Sequence, residues 1–330
     1  MNILYVSVIE QHQGWGAETF LNRGFLVNGD RTITLDYRKE RKSLSQKFLE
    51  LTSSFDVFFL QRGDYFPLPL VAAIQGSRFF WATELVVRCP DQDQLLSSGQ
   101  FDHIFVHSDS CRKTVIDNGW QRPEAVSVLL NGFDPEVHRP LSLGKDIDIL
   151  FVGNTSARRD RWLKKMSVAP VTAYQNEMVR LMNRAKIVLN IHAENQLDTE
   201  TRVFEALGCG AFLITEKLSS ENPFLNGMHL IEVDSAEEMF EQCRYYLAHS
   251  DEREKIARQG YEESTSKHSY RHRAGELKAL FSRYPAKPAS INRGAILHYQ
   301  RFEQIYAAVA GLIKQWHRVV RLLRRLGGKI

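Results

Sequence analysis

Apolar residues in this chain come in short blocks, each closed by polar or glycine-containing turns. The blocks are Asn2–Val8 (NILYVSV), Thr32–Tyr37 (TITLDY), Phe55–Gly63 (FDVFFLQRG), Ser77–Glu84 (SRFFWATE), Phe101–Asp109 (FDHIFVHSD) and Ala125–Gly132 (AVSVLLNG). Near-continuous apolar runs of this length are expected of strands buried on both faces. Segments of helical character separate them, among them AETFLNRGFLV after a loop containing Gly14 and Gly16, and CRKTVIDNGW ending near Gly119. Strands alternating with helices predict a parallel, doubly wound α/β sheet.

The alternation restarts at Asp146–Asn154 (DIDILFVGN). A helix over Glu177–Ala185 comes next, then a strand over Lys186–His192, a helix within ETRVFEALG, and strands in AFLIT and Met228–Asp234. Ser235, ahead of Glu237 and Glu238, is placed to cap a further helix. The pattern therefore predicts two Rossmann-like units, residues 1–135 and 136–284, joined near Asn131–Leu141. From Tyr284 the composition turns to Pro, Ser and Gly, as in a linker. The tail over residues 285–330 then reads as a basic amphipathic helix. Val309, Leu312, Ile313, Trp316, Val319, Val320, Leu323 and Leu326 form its apolar stripe.

The length of 330 residues suits two domains of about 150 each. A hydrophobic content of 43% gives each a core. A net charge of +4 does not mark a nucleic-acid binder, and none is expected as a partner. The four cysteines, Cys89, Cys111, Cys209 and Cys243, form no CxxC pair and no zinc spacing, and read as reduced thiols. The first residues read as a strand rather than a signal peptide, and no run approaches the roughly 20 apolar residues of a membrane span. A cytoplasmic protein is expected.

The stretch ETRVFEALGCGAFLITE carries the chemistry. Ligands of open α/β sheets bind beyond the carboxyl ends of strands, and this helix starts just after one. Its N-terminus, capped by Asp198, Thr199 or Thr201, offers amides and a positive dipole end to a phosphate. Arg202 adds a cation. Glu205, about one turn further in, can accept hydrogen bonds from the vicinal hydroxyls of a ribose. Gly153 and Asn154 end the first strand of the second unit, and Arg158, Arg159 and Arg161 lie in its loop, a suitable partner for a diphosphate. His192 ends the next strand on the same side and is expected to touch the donor base or sugar. Neither a GxGxxG fingerprint nor a Walker loop is present. These residues describe a nucleotide site.

NGFDPEVHRP resembles the hinge phrase of group 1 glycosyltransferases, nucleotide-sugar enzymes with two facing Rossmann-like domains (the GT-B fold). DILFVGNTSARR, MVRLMNRAKIVLNIH, ETRVFEALGCGAFLITE and DEREKIARQGYEESTSKHSYRHRAGEL come after it in the same order, and together resemble the CgeB-like, spore-maturation branch over most of residues 125–282. The resemblance implies that Glu205 contacts ribose, that Arg158 or Arg159 contacts the diphosphate, and that Arg202 is the arginine preceding the FEA phrase. GWGAE, with Gly16, resembles the Gly-rich first loop facing the cleft. The glutamate that many members carry eight residues before the ribose-binding one is Leu197 here, with Asp198 and Glu200 beside it.

The resemblance thus implies a metal-independent glycosyltransferase whose co-substrate is a nucleotide-diphosphate sugar and whose acceptor is a glycan or lipid-linked hydroxyl. Such an enzyme would serve surface glycan, polysaccharide or glycoconjugate synthesis. A nucleotide-sugar 2-epimerase and a non-catalytic sugar-nucleotide-binding protein are the alternatives. A base facing the acceptor should come from strand ends of the first unit. Glu84, His107 and Asp109 are the candidates, with Glu18 behind them. No metal site is expected, although Asp91 and Asp93 in DQD mimic one. Residues 300–326 of the tail have two readings: contact with the inner face of a membrane, or packing on protein, including a second copy.

Overall fold

The computed structural model describes residues 1–9, 15–284 and 289–305, with residues 309, 312, 315 and 316 further along. The first unit contains β1 (Asn2–Ser7), β2 (Arg31–Asp36), β3 (Val57–Gln61), β4 (Ile74–Gln75), β5 (Ser77–Trp81), β6 (His103–Val106) and β7 (Val126–Val128). All but β4 form one parallel sheet in the order β2-β1-β3-β5-β6-β7. Successive side chains of β1 enter opposite cores. Leu4 and Val6 face one that includes Phe58, Leu60 and Phe80, while Ile3 and Tyr5 face one that includes Phe59, Phe79 and Trp81. Two buried faces explain why the strands read as unbroken apolar runs.

Helices α2 (Leu44–Glu50), α3 (Leu68–Ala72), α4 (Pro90–Leu96) and α5 (Asp109–Asp117) cover the first face. Helix α1 (Ala17–Val27) covers the second.

The second unit is smaller. Strands β8 (Ile147–Phe151), β9 (Ala185–Asn190), β10 (Leu213–Glu216) and β11 (Ile231–Val233) form a parallel sheet in the order β11-β10-β9-β8. Helices α7 (Gln175–Arg184) and α8 (Thr201–Gly208) cover one face. Helices α6 (Ala157–Lys165), α9 (Ala236–Ala248) and α10 (Ser250–Lys267) cover the other. Ser235 caps α9 as the sequence predicts, its hydroxyl accepting from the Glu238 amide.

The chain crosses between units twice. Phe133 pairs with Ser269 in a parallel bridge, and the Arg273 guanidinium donates to the carbonyls of Leu130 and Asn131. Helix α11 (Tyr270–Phe281), which the sequence boundary at residue 284 assigns to the second unit, belongs physically to the first. Its Tyr270, Ala274, Leu277 and Phe281 fill the core beneath α1. Gly24 lets the two helices meet, since a Cβ there would sit 2.6 Å from the Tyr270 carbonyl oxygen.

The segment after the linker also returns. β12 (Ser290–Ile291) pairs antiparallel with β4, Ile296 is fully buried, and Ser45 donates to Glu303 at 2.6 Å. The start of the tail therefore packs on the first unit. Most of the expected apolar stripe, including Ile313, Val319, Val320, Leu323 and Leu326, lies outside the described residues.

Candidate active site

The carboxyl ends of the two sheets face one another. The loop after β5, the loop after β6 and the start of α5 meet the loop after β9: Arg88 with Glu194 at 3.2 Å, His107 Nε2 with Asp198 at 3.8 Å, and Gln196 with Ser110 at 3.4 Å.

At the carboxyl ends of β8 and β9 lies a cavity of about 370 Å³. Gly153, Asn154, Arg159, Thr201, Arg202 and Glu205 all line it. Helix α8 enters with Glu200 as its N-cap and no side-chain cap, in place of the expected Asp198, Thr199 or Thr201. The Val203 amide bonds the Glu200 carbonyl at 3.0 Å, and no side chain caps the Thr201 and Arg202 amides at the positive end of the helix dipole. The Arg159 guanidinium is fixed at the rim, donating to the carbonyls of Ile191 and Asn154 at 2.8 and 3.0 Å and lying 3.5 Å from Glu200. Ser156 caps α6 by accepting from the Arg159 amide, which sets the direction of that side chain.

Arg158 takes the opposite course. It forms a two-pronged pair with Glu216 at the end of β10, donates to the His192 carbonyl at 2.9 Å, and does not line the cavity. Of the two arginines left open by the sequence, the cavity takes Arg159, because neighbours on a helix point about 100° apart.

Glu205 is held from two sides. Arg202 lies 2.8 Å from one oxygen, and the buried His138 ring 3.5 Å from the other. His138 is not recoverable from spacing, since it sits in the hinge phrase and reaches Glu205 only through the fold. A second cavity of about 400 Å³ shares Tyr174, Arg202 and Glu205 with the first and runs on to Trp15, Gly16 and Phe20. Gly16, with φ of +122°, thus faces the donor side from the first unit, as the resemblance implies.

His192 is buried and does not line the cavity at β8 and β9. One ring nitrogen meets Glu200 at 3.3 Å and the other the Lys217 carbonyl at 2.8 Å. Burial opposes its charge, but the Glu200 bond prevails and raises its pKa above the ordinary histidine value. Its place is a smaller cleft pocket, shared with Glu84, His107, Asp198 and Glu200. Glu200 lines both that pocket and the cavity at β8 and β9. Leu197 is exposed, while the neighbouring Asp198 faces His107 and Glu200 braces Arg159.

Two acceptor-side candidates, Glu84 and His107, therefore reach the cleft. Burial works against protonation of His107, yet its Cys111 bond and the Asp198 charge leave its pKa raised. Burial likewise raises the Asp198 carboxyl. Asp109 does not reach the cleft pocket. It is exposed in the first turn of α5, paired with Arg112 at 3.7 Å, where a carboxylate complements the helix dipole.

Glu18 is buried and, with Glu84 and Asp64, surrounds Arg62 at 3.5, 3.8 and 3.2 Å. Arg62 and Asp64 carry no signal in the sequence, where FDVFFLQRG registers only as a strand.

Residues 135–279 match the family model described as Glycosyl transferase-like. No curated protein sequence matches the chain. Solved structures share the fold. Anabaena HepE in complex with UDP and glucose is 11% identical with a TM-score of 0.64, covering 86% of this chain and 100% of its own. Sucrose-phosphate synthase of Thermosynechococcus elongatus is 11% identical with a TM-score of 0.63, covering 86% and 98%. An alpha-glucosyltransferase in complex with UDP-glucose and DNA containing an abasic site is 14% identical with a TM-score of 0.58, covering 85% and 99%. Residues 135–279 are thus similar to the Glycosyl transferase-like family, and the chain as a whole has the two-unit GT-B fold of these solved structures.

Proposed function

We propose that the protein transfers a hexosyl-type sugar from a nucleoside-diphosphate donor to a hydroxyl of a glycan or lipid-linked acceptor. The observation that carries this reading is the cavity at the carboxyl ends of β8 and β9, lined together by the uncapped start of α8, Arg159 and Glu205. In it the diphosphate lies against the α8 amides and Arg159, and Glu205, oriented by Arg202 and His138, accepts from the ribose hydroxyls. UDP and UDP-glucose, named with the similar structures, support this donor class.

During transfer the bond from the anomeric carbon to the diphosphate oxygen breaks. The acceptor oxygen bonds to that carbon and its proton passes to a base. Charge building on the leaving diphosphate is met by Arg159 and the helix dipole, groups already in place before reaction. Glu84 suits the base, being a half-buried carboxylate on the acceptor side of the cleft. His107, with its raised pKa, suits hydrogen-bond donation to sugar oxygens.

The order of motifs over residues 125–282 favours the CgeB-like branch. Exposed Phe302, Ile305, Leu312 and Trp316 favour apolar contact of the tail, with a membrane or a second copy. No helix among the described residues is long and apolar enough to cross a membrane.

Incubation with a panel of nucleotide sugars and oligosaccharide acceptors tests the proposal. Release of nucleoside diphosphate together with a lengthened acceptor is expected. An epimerised donor with no transfer would replace this reading by the epimerase.

A further inference from the structure

A third cavity lies away from the donor side, between the first unit and the returning tail. It encloses about 390 Å³, within the range of small-molecule sites, about 300–1,000 Å³. Tyr37, Arg38 and Arg41 line it from the end of β2, Tyr65 from the loop after β3, and Tyr299 and Glu303 from the tail.

Tyr65 is the unusual member. The residue is 64% exposed and its φ is +61°, a left-handed conformation uncommon for a bulky side chain. Backbone strain of this kind persists where the surroundings impose it, and it gathers at ligand sites. The ring lines the cavity, and the Arg41 guanidinium stands over it, 5.4 Å from its centre.

The charges decide between ligand classes. A carboxylate in the wall opposes an anionic ligand. Here Arg38 is bonded to Asp64, and Glu303 places a carboxylate in the wall, accepting from Ser45 at 2.6 Å and Tyr299 at 2.9 Å. An aromatic face rimmed by balanced carboxylate and guanidinium groups instead matches a sugar ring, with its C–H face and its rim of hydroxyls.

The cavity is linked to the cleft. Asp64 contacts Arg62, and Arg62 contacts Glu84. We propose that this cavity is a carbohydrate subsite that holds an uncharged sugar unit of the acceptor chain on Tyr65, with the tail closing its outer wall. Its role as an acceptor subsite rests on the transferase function proposed for the cleft.

The test is saturation-transfer NMR on the full chain, with neutral di- to tetrasaccharides of glucose, galactose, mannose and N-acetylglucosamine as probes. At least one should receive saturation. Tyr65→Asn, which keeps a residue tolerant of the left-handed backbone while removing the ring, should weaken that probe by about tenfold or more, about 1.4 kcal/mol. Arg159→Ala should leave it unchanged. Saturation of no probe, or equal binding by Tyr65→Asn, would overturn the subsite. Nucleotide affinity measured alongside separates the two ideas. Saccharide binding without nucleotide binding sinks the transferase reading and the acceptor role while keeping the carbohydrate site, and nucleotide binding without saccharide binding sinks the subsite alone.

Discussion

The two walls of the cleft are built by different means. On the donor side, the cavity draws on successive segments between Phe151 and Glu205: the end of β8 with the start of α6, the stretch Thr172–Tyr174 before α7, the end of β9, and the turn before α8 with its first helical turns. Backbone amides, a helix dipole, Arg159, Arg202 and Glu205 supply its chemistry. On the acceptor side, Arg62 sits among Glu18, Asp64 and Glu84, which come from a helix start and two separate loops. Arg62 and Tyr65 there have positive φ. A site built from local backbone is legible in a motif, whereas one assembled from distant side chains is not.

Neighbouring arginines put this contrast in its plainest form. Arg158→Ala should cost about 3 kcal/mol or more of stability, because it leaves the buried Glu216 carboxylate unpaired. Chemical denaturation checks this, and an unchanged midpoint would remove Arg158 from the framework. Gly208→Ala should cost about 1–3 kcal/mol, since a new Cβ meets the fully buried Phe133 ring where the chain crosses between units. The same denaturation experiment applies, with loss of nucleotide affinity expected to be no greater than the loss of folded protein.

A weaker effect probes Glu205. Its change to Gln should lower affinity for a ribonucleoside diphosphate by about tenfold, or about 1.4 kcal/mol, and leave the 2′-deoxy analogue almost unaffected. Equal losses for both ligands would place Glu205 away from the ribose.

The mildest change concerns pH. The folded pKa of His107 is raised, with Asp198, Cys111 and Glu221 facing it. Its contribution to stability is complete below the ordinary histidine pKa and is lost as pH rises through the higher folded value. His107→Gln should flatten the fall in melting temperature between about pH 6 and pH 8. An identical slope in the variant would show that the pair across the cleft does not titrate there.

The strands are readable in the sequence because parallel sheets covered on both faces leave little room for polar residues, as in VFFLQ of β3. The donor helix α8 and Glu205 are readable because the turn, the helix start and the carboxylate lie within one short stretch. Other parts lack such a signal. Adjacent arginines look alike in sequence, and only the position of Glu216 sorts Arg158 from Arg159. α11 has an apolar pattern that fits either unit, and the small residue that lets it meet α1, Gly24, lies far from it in sequence. The Pro- and Ser-containing stretch after Tyr284 conceals β12, whose pairing with β4 spans most of the chain.

Everything on the donor side depends on whether the cavity at β8 and β9 holds a nucleoside diphosphate through Arg159 and the start of α8. Isothermal titration of nucleoside diphosphates into the wild type, Arg159→Ala and Arg158→Ala decides it. Loss of two charge-assisted hydrogen bonds, about 1.5–3 kcal/mol each, should weaken binding to Arg159→Ala by about a hundredfold or more, while folded Arg158→Ala binds within a fewfold of wild type. Equal affinity for wild type and Arg159→Ala would remove Arg159 from the diphosphate site, and no binding of any nucleoside diphosphate to the wild type would remove the site itself.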